Sequence, residues 1–192
     1  MFRGIPLIAA LALAGAAHAQ SFDYNYIEGF YGKVEYDVPG GDFDGDGFGL
    51  AGSFAVADNF HVFGSYSSVD FDLGVDATDF SVGLGYNTPI SDTVDVVARL
   101  AYVSAEFDIP NFGSVDDDGY AVGVGLRGMA MPQLELHGDV SYVDLGGSGS
   151  GDTSFGAGFL YHFTESLAAG LSGDWGDDVS SYVLSGRVSF GR

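Results

Sequence analysis

The stretch VDVVARLAYV, residues 94–103, alternates between two kinds of side chain with a period of two residues. One face is wholly apolar and the other includes both charges: Val94, Val96, Ala98, Leu100 and Tyr102 form the first, and Asp95, Val97, Arg99, Ala101 and Val103 form the second. Such alternation is typical of a β-strand whose two faces meet different environments. A strand of about ten residues is long enough to cross a lipid bilayer at a tilt.

Similar stretches recur along the chain, and together they predict ten strands, with eight as the alternative. The ten predicted strands cover residues 24–36, 47–56, 60–67, 79–87, 94–103, 120–127, 134–142, 154–163, 167–175 and 182–190. Long acidic connectors at 38–46, 70–77, 108–118, 145–153 and 176–180 alternate with short ones at 58–59, 88–93, 131–133 and 164–166. This arrangement predicts an all-β fold, a single antiparallel up-and-down transmembrane barrel.

The composition excludes several other classes of protein. The 192 residues include 27 acidic and only 6 basic ones, for a net charge of −21, and 46% of them are hydrophobic. A disordered acidic tail would not carry so many apolar residues. So few basic residues cannot form a surface that binds nucleic acid. The absence of cysteine excludes disulfides, thiol catalysis and cysteine-ligated zinc.

The beginning of the chain has the features of an export signal. An apolar core from Ile5 to Gly15 is too short to span a bilayer, and the small residues Ala17 and Ala19 follow it. The sequence therefore predicts a signal peptide over 1–19, cleaved before Gln20, and an outer-membrane barrel over 20–192. We expect extracellular loops on the long-connector side and both termini in the periplasm.

The alternation also predicts which side chains face lipid and which face the lumen. We expect an outward belt of aromatic residues at the lipid interface: Tyr36, Phe48, Tyr66, Phe80, Tyr102, Tyr120, Tyr142, Phe155, Trp175 and Tyr182. We expect a network of paired charges in the lumen: Lys33, Glu35, Asp79, Asp95, Arg99, Arg127, Glu135, His137, Asp139, Asp174 and Arg187. Glu28 breaks the pattern, since it shares the apolar face of the first strand. Two interpretations are open: a bulge turns Glu28 inward, or Glu28 lies among the lipid headgroups.

Several strand fragments resemble a known family. They are Tyr24–Gly29 (YNYIEG), Phe60–Tyr66 (FHVFGSY), Val82–Asn87 (VGLGYN) and Leu171–Asp174 (LSGD). They are similar to a family of small proteobacterial outer-membrane barrels, which includes xanthomonad surface proteins linked to quorum sensing and plant immunity. The chain also shows a general resemblance to small barrels of the OmpA and OmpX type. The resemblance implies an outer-membrane location and implies no catalytic residues.

One short motif resembles a calcium-binding loop. Asp42, Asp44 and Asp46 are spaced as the first three ligands of such a loop, and a glycine follows at Gly47. Position 12 would be Ser53 rather than the usual glutamate. We therefore expect no resident cofactor and at most a weak, loop-bound calcium ion. A solvated acidic turn is the simpler interpretation.

The remaining polar residues do not indicate catalysis. His137 and Asp139 share one strand face, but the predicted topology places His61, His137 and His162 in the periplasmic half of the barrel. The sequence therefore predicts a structural or surface-interaction barrel that is not an enzyme. A narrow, cation-preferring, porin-like channel is the alternative, and an outer-membrane enzyme is the weakest one. The expected partners are outer-membrane lipid, lipopolysaccharide and, during insertion, the barrel assembly machinery. We expect a monomer that binds no nucleic acid.

Overall fold

The computed structural model describes residues 22–38, 41–146 and 151–190, although the side chains of residues 38, 41, 42 and 73 lie outside that description. The expected signal peptide lies outside the described residues. Within them the chain forms ten β-strands: β1 (Tyr26–Val38), β2 (Gly41–Ala57), β3 (Phe60–Phe71), β4 (Val75–Ser91), β5 (Val94–Ile109), β6 (Gly113–Met131), β7 (Leu134–Leu145), β8 (Asp152–His162), β9 (Leu167–Trp175) and β10 (Val179–Ser189).

The ten strands close into one antiparallel barrel. Each strand pairs with its neighbours in sequence, and β1 pairs with β10 to complete the ring. The prediction of ten strands, rather than eight, is therefore confirmed. Among the described residues, no helix is long and apolar enough to cross a membrane. We call the end of the barrel that holds residues 22 and 190 the short-turn end, and the opposite end the hairpin end.

The long connectors expected over 38–46, 70–77 and 108–118 differ from the prediction, because most of their described residues are strand. The connector expected over 70–77 contains only one short 3-10 turn, Asp72–Gly74, and the one expected over 108–118 turns only near Asn111. The strands therefore continue beyond the bilayer-crossing part as hairpins. Burial explains this extension, since Val69, Phe71 and Ala77 point inward and are at most 7% exposed. Their packing supplies apolar contacts that a solvated loop would lack.

Strand β1 faces the opposite way from the prediction. Tyr26, Glu28, Val34 and Tyr36 are buried inside the barrel, at most 7% exposed, while Tyr31 is 49% exposed on the outside. Because side chains alternate strictly along a strand, one misassigned residue moves the whole set to the other face. On the other nine strands, the face predicted to be outward does point outward.

Candidate functional site

The interior is the candidate site, and its most buried group is an ion pair between β6 and β7. Arg127 donates hydrogen bonds from Nε and Nη2 to Oε1 of Glu135, at 3.0 and 2.7 Å. Both side chains are fully buried. On the other side of the carboxylate, Nε2 of His162 lies 3.2 Å from Oε2 of Glu135. The register places Arg127 beside His137, so these groups form one polar layer near the short-turn end.

A second ion pair joins the two strands that close the barrel. Glu28 of β1 accepts a hydrogen bond from Nη2 of Arg187 on β10, and the two residues are direct register partners. The guanidinium of Arg187 also lies over the ring of Tyr26, 4.0 Å from its centroid. Glu28 thus shares the inward face of β1 with Tyr26, and neither a bulge nor a headgroup position is needed to account for it.

The third interior arginine is held differently. The guanidinium of Arg99 lies 4.9 Å from the centroid of the Phe63 ring. Its Nε and Nη2 atoms have no hydrogen-bond partner within the described part of the chain. A buried donor without a protein partner is normally satisfied by an ordered water molecule.

The structure places most of the predicted lumen residues on the inward face. Asp79, Asp95, Arg99, Arg127, Glu135 and Arg187 are buried, while His137, Asp139 and Asp174 are part-buried around one small interior cavity. Lys33 and Glu35 are the exceptions, because both are exposed on the outside of β1. The reversed face of β1 is the cause, and it removes these two residues from the lumen network.

The predicted aromatic belt lies on the outside of nine strands. Neighbouring members pack at a tilt, with ring centroids 6.3 Å apart for Tyr120 and Tyr142 and 5.6 Å apart for Phe155 and Trp175. Tyr36 does not belong to the belt, since it is only 7% exposed and packs against Phe71 inside the barrel. Tyr31 replaces it, because it points outward and is the register partner of Phe48.

The segment with the calcium-loop spacing is part of a strand. Residues 42–46 pair with β1 in extended conformation, so Asp44 and Asp46 point to the same side rather than converging on one point. Asp46 instead accepts a hydrogen bond from the hydroxyl of Tyr31 at 2.7 Å. The side chain of Asp42 lies outside the described residues. Among the residues whose side chains are described, no group of three metal-ligating residues is found.

The outer surface of the hairpin end carries a row of opposed carboxylates, which we call the acidic row. Asp46 is the register partner of Asp70, Asp70 of Asp76, and Asp76 of Asp108, so the row crosses β2 to β5 without a break. All four residues are exposed. Directly opposed residues have Cβ atoms about 5 Å apart, and like charges at that distance repel.

Side chains fill the barrel at both ends. At the hairpin end, an apolar cluster buries Val34, Tyr36, Val69, Phe71 and Ala77, with Phe107 packed against it. At the short-turn end, Phe22 and Tyr24 are buried against Val97. The charged groups between these ends leave a cavity of about 30 Å³ beside Arg187 and His137. That volume suits one or two water molecules and is far too small for an organic solute.

Sequence reasoning missed the contributions of Phe22 and Tyr24. The alternation assigns Tyr24 to the outward face of the first predicted strand, 24–36, but Tyr24 precedes β1 and is buried inside the barrel. Phe22 lies outside every predicted strand, and its apolar character was the signal that was available.

Comparison with known proteins agrees with this architecture. Residues 5–163 match the family model described as outer membrane protein beta-barrel domain. The chain belongs to this family. Membership supports an outer-membrane location, while the narrower resemblance to xanthomonad surface proteins stays a prediction. No curated protein matches the chain.

Solved barrels are similar in fold at low sequence identity. The KdgM porin in complex with disordered oligogalacturonate is 10% identical, with 86% of this chain and 99% of that chain covered and a TM-score of 0.50. The translocator domain of the autotransporter NalP from Neisseria meningitidis is 9% identical, with 88% and 89% covered and a TM-score of 0.51. The attachment invasion locus protein Ail of Yersinia pestis is 17% identical, with 92% and 99% covered and a TM-score of 0.43.

Proposed function

We propose that this barrel is a closed surface protein of the outer membrane, whose acidic hairpins rather than a pore carry its function. The observation that carries the proposal is the apolar cluster at the hairpin end. Phe71 packs on Tyr36 and Phe43, with ring centroids 5.6 and 5.1 Å away, on neighbouring strands β1 to β3, and Phe107 of β5 and Val179 of β10 pack against the same cluster, where a pore would need water. A packed apolar layer excludes water and ions. The proposal includes no catalytic role.

The acidic row supplies the surface that this function uses. Its outward carboxylates repel one another, and an external cation relieves that repulsion. Divalent cations fit this chemistry, and at the outer leaflet they bridge such carboxylates to the phosphates of lipopolysaccharide. The proposal therefore places the hairpins outside the cell and both termini in the periplasm. It also takes the barrel to be a monomer that the barrel assembly machinery inserts.

A narrow cation-preferring channel is the second candidate. It is favoured by the layer of charged and polar side chains between the two closed ends, and by the acidic row, which would concentrate cations near the outer mouth. Such a channel requires the apolar cluster to open. The two candidates therefore differ in a single measurable quantity, the ionic conductance of the folded barrel.

Planar-bilayer recording tests the proposal. The folded protein, with Phe71 and Tyr36 in place, should give no conductance steps. Steps in the unmodified protein that prefer cations, and lose that preference as salt rises, would establish the channel instead.

Binding to lipopolysaccharide vesicles with and without magnesium tests the surface role. We expect binding that depends on magnesium and weakens when Asp70 and Asp76 are changed to asparagine. Magnesium-independent binding would contradict the role of the acidic row.

A further inference from the structure

The four residues before β1 cross the barrel interior. Tyr24 donates a hydrogen bond from its hydroxyl to Oδ2 of Asp95 at 3.1 Å, and its ring stacks on that of His61 at 4.4 Å between centroids. Phe22 packs with Tyr24 and Val97. Phe22 and Tyr24 are only 4% and 5% exposed, although neither belongs to a strand.

The positions of these contacts show how far the segment reaches. Asp95 and Val97 lie on β5, and Arg127 lies on β6. In a ring of ten strands, β6 is five steps from β1 in either direction, so it stands directly opposite. The segment therefore spans the interior from the wall where it is attached to the far wall.

The guanidinium of Arg127 packs against both aromatic rings of this segment, and we call it the seat. The guanidinium carbon lies 4.7 Å from the centroid of the Phe22 ring and 5.0 Å from that of Tyr24. A cation over an aromatic face is attracted to the ring, more strongly when both are shielded from water. Glu135 fixes the same guanidinium from the strand side, so the seat stays in place independently of the segment.

Side chains, rather than strand pairing, hold the segment. The ladder between β1 and β10 begins at Tyr26, and residues 22–24 make no backbone hydrogen bond to a strand within the described part of the chain. Asn25 is the anchor, because its carbonyl accepts from Phe190 N at 2.9 Å and its side-chain Oδ1 accepts from Ala55 N at 3.0 Å. Residues 22–24 can thus leave without breaking the barrel's ladders.

We propose that Phe22–Tyr24 form a removable stopper, which closes the short-turn end of the barrel and opens the polar interior to that side when it leaves its seat on Arg127. This proposal goes beyond the surface role, because it concerns access to the interior from the end opposite the acidic hairpins. The apolar cluster at the hairpin end stays closed when the stopper leaves. The opened interior is then a chamber with one mouth, not a channel.

Thiol labelling tests the stopper directly. The chain has no cysteine, so Val97→Cys places a single thiol beneath the stopper in a side chain of similar size. The rate of its reaction with a charged, water-soluble thiol reagent is measured on the folded, full-length protein in detergent micelles. We expect slow reaction with the stopper intact and a rate at least tenfold higher when Phe22→Ala and Tyr24→Ala are added. Heat-modifiable gel mobility verifies that each variant is folded.

Phe163→Ala is the matched control. Phe163 is an aromatic residue at the same end of the barrel but is 58% exposed on the outside, so its removal should leave the labelling rate unchanged. Fast labelling of Val97→Cys alone would show that the segment is not seated. Slow labelling of the folded double variant would show that other groups close this end. If the double variant does not fold, Phe22→Ala alone is measured, and an unchanged rate would equally overturn the proposal.

Discussion

Removing the charge of Glu135 should destabilise the barrel more than any other single change in the interior polar layer. Glu135→Gln keeps the shape of the side chain but leaves the guanidinium of Arg127 without its counter-charge, at a site where both side chains are fully buried. Two hydrogen bonds, of 2.7 and 3.0 Å, then end on a neutral amide oxygen instead of a carboxylate. Breaking a buried pair from one side costs about 3–5 kcal/mol, and we expect a loss of about 4 kcal/mol in the free energy of unfolding.

Equilibrium unfolding in urea, with the barrel folded into lipid vesicles, measures this loss. The single tryptophan, Trp175, packs against Phe155 and Tyr182 in the aromatic belt, so its emission should shift when the barrel leaves the bilayer. Glu35→Gln is the matched control, because Glu35 is exposed on the outside of β1 and its neutralisation should change the stability by less than about 0.5 kcal/mol.

A double variant distinguishes the cost of an unpaired buried charge from the loss of the pair itself. Replacing Arg127 and Glu135 together with methionine removes both charges, and buried pairs replaced in this way lose less than either partner replaced alone. We therefore expect the double variant to be more stable than Glu135→Gln. A loss below about 1 kcal/mol for Glu135→Gln would refute the reasoning, because it would mean that water already solvates Arg127.

Three further predictions follow from other parts of the structure. Tyr36→Ala should lower the free energy of unfolding in urea by about 3 kcal/mol, because Tyr36 is buried in the apolar cluster. Tyr31→Ala should lower it clearly less, and the reverse order would contradict the inward face of β1. Glu28→Gln should lower the unfolding temperature of the barrel because Arg187 loses its counter-charge, and an unchanged temperature would mean that the pair does not form in the membrane. Asp70→Asn, which relieves repulsion from two opposed carboxylates, should stabilise the barrel by about 0.5 kcal/mol at low salt; a gain that persists in 1 M salt would rule out an electrostatic cause.

The period of two residues predicted most of the fold, since a strand that separates lipid from lumen must alternate along its length. Leu100, Val124 and Leu184, all predicted to face outward, are more than half exposed on the lipid side. The interior arginines could be placed by the same rule, because an unpaired arginine facing the hydrocarbon costs about 2–4 kcal/mol at the midplane. Arg99, Arg127 and Arg187 all lie inside. The pairing partners could not be predicted, because they depend on the register between strands.

Strand β1 shows why alternation alone does not decide which face is inward. Within the bilayer, apolar side chains point out to lipid, as Tyr66 does on β3. Further along the same strand, in the hairpin, Val69 and Phe71 point in while Asp70 points out. The apolar face therefore changes sides where a strand leaves the lipid, because water then lies outside and apolar packing lies within.

In β1 this change accounts for the error. Val34 and Tyr36 belong to the hairpin region, where water lies outside the barrel. They therefore point inward, while Lys33 and Glu35 point outward. When Val34 and Tyr36 are assigned to the lipid-facing side, every side chain of β1 is placed on the wrong face. Glu28 contained the correcting signal, because a carboxylate on the same face as Tyr26 needs an interior cation, and Arg187 on the neighbouring strand of the closed barrel is that cation. Where the lipid-surrounded and water-surrounded parts of one strand give opposite assignments, the buried charge therefore decides which face is inward. A misplaced charge costs more free energy than an exposed aromatic ring.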